Sequence, residues 1–162
     1  LAGRGDPLPP LPIQYADCAA WQRGDAGMRA VEDSLAHWMQ KLHAAPAVHA
    51  LPLDKPRPAR QRFNAQRCST HIDAAMLGRV QAFARDRGAT LFMALQAALA
   101  ALLARWSGET DIVVGTPIAG RDRPEIAPLI GFFINTLVFR TRLSDDPQLG
   151  ELVERVRDDA LE

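Results

Sequence analysis

The sequence predicts an α/β (α+β) fold, a two-layer arrangement of helices on a mixed sheet, and three observations carry that prediction. Apolar residues recur at three- and four-residue steps in several segments, the signature of amphipathic helices. Short runs rich in β-branched and aromatic residues, at 63–72, 111–118 and 130–143, read as strands. The resulting order is helix, strand, helix, helix, strand, strand, helix. It has no regular βαβ repeat, which favours a mixed sheet over a purely parallel one.

Residues 3–12, rich in proline and glycine, read as an extended linker. A short helix is expected at 13–21. Met28, Val31, Leu35, Trp38, Met39 and Leu42 then share one face of a helix over 28–44, and the proline-punctuated stretch 46–58 reads as loop. Asp73 is placed to cap a helix running to Arg87, with Gly88 as its stop signal. Thr90 is placed to cap a second helix at 91–106, apolar nearly all round and so expected at the centre of the packing. Residues 111–118 follow as a strand and 119–129 as a polar loop. The run Ile130-Gly131-Phe132-Phe133-Ile134-Asn135-Thr136-Leu137-Val138-Phe139-Arg140 reads as a strand buried on both faces, continuing to Leu143. Asp146 with Pro147 then opens the last helix. The Asn135-Thr136 pair is the anomaly in that strand. An unpartnered buried amide costs roughly 1–3 kcal/mol, so Asn135 needs a partner, a channel or a task.

Composition narrows the function classes. The 162 residues fit one domain, or one lobe of something larger, and 48% are apolar. The 19 basic and 19 acidic residues cancel, leaving no surplus to neutralise nucleic-acid phosphates. No apolar run is long enough to span a bilayer. Cys18 and Cys68 lack metal-ligand spacing and read as reduced cytosolic thiols. The chain starts at Leu1 and stops while still reading as helix, so it is expected to be a piece of a longer polypeptide.

The residues that could carry chemistry argue against self-sufficient catalysis. His37, His43, His49 and His71 form no metal-binding pattern. No serine sits in GxSxG, and no triad order is present. Residues 115–121 (Gly-Thr-Pro-Ile-Ala-Gly-Arg) end a strand in glycines followed by arginine, yet match neither GxGxxG nor a P-loop. On composition alone Arg121 is a surface charge or an ion-pair partner.

Three segments together resemble the condensation domains of nonribosomal peptide synthetases. Gln14-Tyr15-Ala16-Asp17-Cys18-Ala19-Ala20-Trp21 is similar to the family's YxDYAxW motif, departing at Cys18 where tyrosine is usual. Gly115 to Arg121 is similar to GxPxxGR, and Ile130 to Arg140 to IGxFVNT…R. Between them, Leu51-Pro52-Leu53-Asp54-Lys55-Pro56-Arg57-Pro58 resembles the LPTDRPRP linker. Gly-Phe-Phe-Ile-Asn-Thr at 131–136 favours condensation over the related epimerization domains.

The resemblance implies one lobe of a chloramphenicol-acetyltransferase-like pair, with residues 1–50 as linker and inter-lobe helix and 51–162 as part of the C-terminal lobe. The family's HHxxxDG motif does not occur in these residues, so no catalytic residue is expected in this chain. Arg121 would organise the site by pairing with the aspartate of HHxxxDG. Gly131, Phe133, Asn135 and Thr136 would form the second-lobe side of the channel, and Tyr15, Asp17 and Trp21 the lobe junction. The bland readings stay open: Asn135 satisfied by nearby backbone, Tyr15, Asp17 and Trp21 as packing residues. The intact enzyme would form amide bonds between substrates tethered to donor and acceptor peptidyl carrier proteins, beside an adenylation domain, in the cytoplasm. It would use the carriers' phosphopantetheine arms and bind no cofactor or metal of its own. The rival readings are a non-catalytic docking module and a coenzyme A-dependent acyltransferase lobe. Separated from a missing N-terminal lobe, the chain is expected to leave strand edges or helix faces uncovered and to self-associate through them.

Overall fold

In a computed structural model, which describes residues 9–162, the element order is α1 (Tyr15–Arg23), α2 (Asp25–Lys41), α3 (Ala74–Arg85), α4 (Leu91–Ser107), β1 (Asp111–Ile118), β2 (Asn135–Arg142) and α5 (Leu149–Leu161). The predicted linker at 3–12 lies outside the described residues up to residue 8, and residues 9–12 have no regular structure. Contacts divide the chain into two compact units. The first comprises Leu1–His43 and Thr116–Leu137, the second Ala44–Gly115 and Val138–Glu162, so each strand contributes to both.

In the first unit α1 begins where the Asp17 carboxylate accepts the Gln14 N–H at 2.8 Å, satisfying one orphan donor of the first turn. Gly24 separates α1 from α2, and the two helices pack together. Gly27 makes that approach possible, since a Cβ there would lie 2.5 Å from the Trp21 carbonyl oxygen. The apolar face expected on α2 exists, but Met28, Val31, Leu35 and Met39 are all exposed.

The second unit holds the apolar core. Asp73 caps α3 by accepting from Met76 N–H at 2.7 Å, and Thr90 caps α4 by accepting from Met93 N–H at 3.3 Å. Gly88 and Gly108 sit at φ +63° and +74° after α3 and α4, the left-handed stops that glycine adopts at least cost. Ala84, Ala89, Met93, Ala94, Ala97, Leu152, Val153 and Val156 form the buried cluster between α3, α4 and α5. Each of the larger side chains stabilises by about 1.5–3 kcal/mol on burial. Small alanines on α4 let the helices approach closely.

β1 and β2 form a two-stranded sheet. Its antiparallel sense follows from the Leu143 N–H donating to the Thr110 carbonyl at 2.7 Å, just past the end of β2 and just before the start of β1. One side-chain pair ties the strands. Arg140, buried, grips Asp111 with Nη2–Oδ2 at 2.6 Å and Nε–Oδ1 at 3.0 Å. The bond to Arg140 holds the Asp111 carboxyl below its usual range.

Four expectations need correction. The strand expected at 63–72 does not form: those residues have no regular structure and Phe63 is 87% exposed. β-Propensity makes a strand only where a neighbour completes the ladder, and β1 and β2 are paired with each other. The strand expected from Ile130 begins only at Asn135, and Ile130, Phe132 and Ile134 are exposed rather than buried on both faces. Side chains take the carbonyls of this stretch, as described below. α4 is not surrounded: Met93, Ala94, Gln96, Ala97 and Ala100 are buried, but Phe92, Leu95, Leu99, Leu102 and Trp106 form an exposed stripe at helical spacing. The last helix begins at Leu149 rather than at Pro147, because Asp146 takes φ +50° and Glu151 accepts the Gln148 N–H at 3.0 Å.

Candidate functional site at the Arg121–Phe133 junction

Within the first unit, residues far apart in sequence meet around Gly131, Phe132 and Phe133. Gly120 ends the approach from β1 at φ +61°, and a Cβ there would lie 2.2 Å from the Phe133 carbonyl oxygen. Only glycine fits, for backbone conformation and for space. Arg121 therefore leaves the chain beside the Phe133 ring, its guanidinium carbon 4.5 Å from the ring centroid.

The guanidinium also gathers backbone. Nη1 donates to the Ile126 and Leu129 carbonyls at 2.8 Å each and to Ala127 at 3.3 Å, and Nη2 donates to Gly131 at 3.3 Å. A rigid five-donor fork can fold a loop around itself in this way; a lysine ammonium cannot. Among the described residues Nε of Arg121 has no hydrogen-bond partner and no carboxylate pairs with the group, so the charge is held by carbonyl dipoles and the Phe133 ring. This clamp is also why the Leu129 and Gly131 carbonyls face a side chain instead of a neighbouring strand.

Tyr15 closes the other side. Its hydroxyl donates to the Phe132 carbonyl at 3.2 Å, and its ring meets Phe133 edge-on at a centroid distance of 5.3 Å. Gly131 must be small here, as a Cβ would fall 2.3 Å from Tyr15 Cδ2. Arg123 lies over the Trp21 ring at 4.8 Å.

The structure thus brings Tyr15, Arg121, Gly131 and Phe133 together. Asp17 stands apart as the α1 cap, and Trp21 is held by Arg123. Asn135 and Thr136 open β2 and are exposed, with Asn135 Oδ1 accepting from the Thr136 N–H at 2.8 Å. The amide that looked anomalous in a buried strand is at the surface and occupied by adjacent backbone. The sequence reading missed the Arg123–Trp21 contact and the Asp111–Arg140 pair. A lone arginine in an apolar strand is itself a request for a carboxylate, and that signal was available for Arg140. Among the described residues, no cluster of His, Cys, Asp or Glu could hold a metal ion, and no helix is long and apolar enough to cross a membrane.

Helices with an antiparallel strand pair are the elements expected of part of a chloramphenicol-acetyltransferase-like lobe. The family model described as "Condensation domain" matches residues 1–162, and the chain belongs to that family, as found in nonribosomal peptide synthetases. It is 49% identical over 155 residues to one of the linear gramicidin synthase proteins of Brevibacillus parabrevis, a match covering 96% of this chain and 2% of that protein. Its structure is similar to the X-domain solved in complex with OxyB from teicoplanin biosynthesis, with a TM-score of 0.88, 34% identity, and coverage of 99% of this chain and 36% of that one. It is also similar to a four-domain nonribosomal peptide synthetase bound to AMP and glycine, with a TM-score of 0.77, 29% identity, and coverage of 81% and 10%. The chain therefore spans only a small part of the relatives it matches.

Proposed function

We propose that this chain supplies the Arg121 junction to a condensation domain that forms amide bonds between carrier-tethered aminoacyl or peptidyl thioesters. The observation that carries the proposal is the meeting of three separated motif segments at Phe133, with one guanidinium nitrogen of Arg121 left over. In the intact domain, Arg121 would pair with the aspartate of HHxxxDG, using Nε and the remaining Nη2 hydrogen as a side-on bidentate edge. It would hold that carboxylate, and so the histidine-bearing turn, without moving a proton itself.

Residues 1–50 would then serve as linker and inter-lobe helix, and 51–162 as part of the C-terminal lobe. Gly131 and Phe133 shape the channel wall at the clamp, while Asn135 and Thr136 continue it; Tyr15, Asp17 and Trp21 would lie at the junction between the lobes. Donor and acceptor carrier proteins would present their phosphopantetheine arms from opposite faces, beside an adenylation domain, in the cytoplasm. The chain itself contributes positioning. Holding two tethered reactants in register is worth up to roughly 7–11 kcal/mol in favourable cases.

The experiment joins the chain to its HHxxxDG-bearing lobe and follows dipeptidyl transfer between loaded carriers. Product formation that falls about a hundredfold in Arg121→Ala supports the proposal, and product no greater than in a catalytic-histidine knockout rejects it. A second reading, a docking module, is favoured by the similarity to an X-domain solved in complex with another protein. An intact HHxxxDG encoded ahead of Leu1 would reject it.

A further inference from the structure

The outer edge of β1 carries a second device, unrelated to the Arg121 junction. His49 lies in the proline-bordered stretch before α3, and its side chain is only 18% exposed. Nδ1 is 2.5 Å from Glu109 Oε2, and Glu109 Oε1 accepts the Ala50 N–H at 3.1 Å. A carboxylate only accepts, so His49 Nδ1–H is the donor to Glu109. Nε2 is then free to accept the Val113 N–H at 3.0 Å, and the Val113 carbonyl lies 3.1 Å from the same nitrogen. One imidazole nitrogen thus takes the Val113 N–H, as an acceptor on a neighbouring strand would.

The position is an edge by the alternation of a strand. Backbone groups of successive residues point to opposite sides within an antiparallel sheet. The Thr110 carbonyl points toward β2, where it accepts from Leu143. Residues 112 and 114 share that sense, so 113, 115 and 117 point outward. Pro117 falls in the outward set and has no N–H to offer, the placement proline requires in a sheet. With the Val113 N–H taken by imidazole and none present at Pro117, two of the outward positions of β1 have no donor to offer a partner strand.

We propose that the segment carrying His49, fastened by Glu109, is a strap that closes the outer edge of β1 against strand addition. An extended strand, including one from a second copy of this chain, is thereby confined to the β2 side. The test uses the full chain labelled with nitrogen-15. A through-hydrogen-bond coupling between the Val113 amide nitrogen and His49 Nε2, measured in alkaline buffer, is expected in the wild type; its absence overturns the proposal whatever any variant does. In His49→Ala, exchange of the Val113 amide should rise about tenfold while Val114, facing β2, is unchanged. An unchanged Val113 overturns the proposal. If His49→Ala loses the fold, Glu109→Gln replaces it, with the same contrast between Val113 and Val114. The double variant His49→Ala/Pro117→Val should self-associate more than the wild type by light scattering, and association no greater than the wild type's overturns the guard.

Discussion

The two units are held by different physics. In the second, α3, α4 and α5 bury a continuous apolar cluster in which Ala97 and Val153 are fully enclosed. In the first, only Gly27 and Leu129 are buried among the described residues, and order comes from Arg121, Tyr15 and Gly120 acting on particular carbonyls and on one ring. Burial is non-directional and tolerates exchange among apolar residues of similar size. A carbonyl clamp is directional and tolerates almost none. Most of the motif residues around Tyr15, Arg121 and Phe133 accordingly lie in the first unit, while Leu51–Pro58 and Arg140 lie in the second, which supplies the apolar core.

The largest expected effect tests the core. Leu152→Ala should lower unfolding free energy by about 3 kcal/mol in urea titrations followed by helical circular dichroism, because a cavity remains among close-packed helices. A loss below about 1 kcal/mol would show that this core is loosely packed. Asp111→Asn comes next. It leaves the buried Arg140 guanidinium without its counter-charge, and about 2 kcal/mol should be lost in the same titration. Arg121→Ala should cost about 1–2 kcal/mol, read as loss of the ring-current shifts that Phe133 and Tyr15 exert on each other. Arg121→Lys should not restore them, since an ammonium cannot span four carbonyls. Rescue by lysine would reduce the clamp to a simple charge.

Two smaller effects refine the contrast. Among the described residues, Gln96, buried on α4, has no hydrogen-bond partner for its Nε2. Gln96→Met should therefore raise stability by up to about 1 kcal/mol in thermal melts. Acid should act gently and in one direction. Arg155 holds the Asp145 carboxyl down at about 2, from an ordinary 3.8, and Arg140 lowers Asp111 in the same sense. A carboxylate with a depressed folded value stabilises above its unfolded value and loses that contribution as pH falls through the folded one. Melting temperature should hold down to about pH 4 and decline toward pH 2, and Arg155→Gln should flatten part of that decline. A melting temperature that rises on acidification would exclude both pairs as stabilising contacts.

Legibility followed interaction range. Asp73 and Thr90 were readable as caps because a cap acts within three residues, and Gly88 as a stop because positive φ is a property of one residue. β1 was read with its bounds, since its Ile-Val-Val run is flanked by breakers. The strand at 63–72 was misread because strand formation needs a partner that its own residues do not encode. The late start of β2 was equally invisible, as it depends on Arg121 and Tyr15 reaching carbonyls at 126–132 from elsewhere in the chain. Asn135 was treated as buried on the strength of its apolar neighbours, of which Ile130, Phe132 and Ile134 face solvent.

By itself the sequence determined where the helices fall, the caps of α3 and α4, the strand β1 and the family, because periodicity, capping and ordered motifs are written in neighbouring residues. Tertiary structure alone decided which apolar faces are covered, where β2 begins, and that Tyr15, Arg121 and Phe133 form one junction while His49 guards an edge. Those outcomes depend on hydrogen bonds and ring contacts between distant residues, whose geometry exists only after the chain has folded.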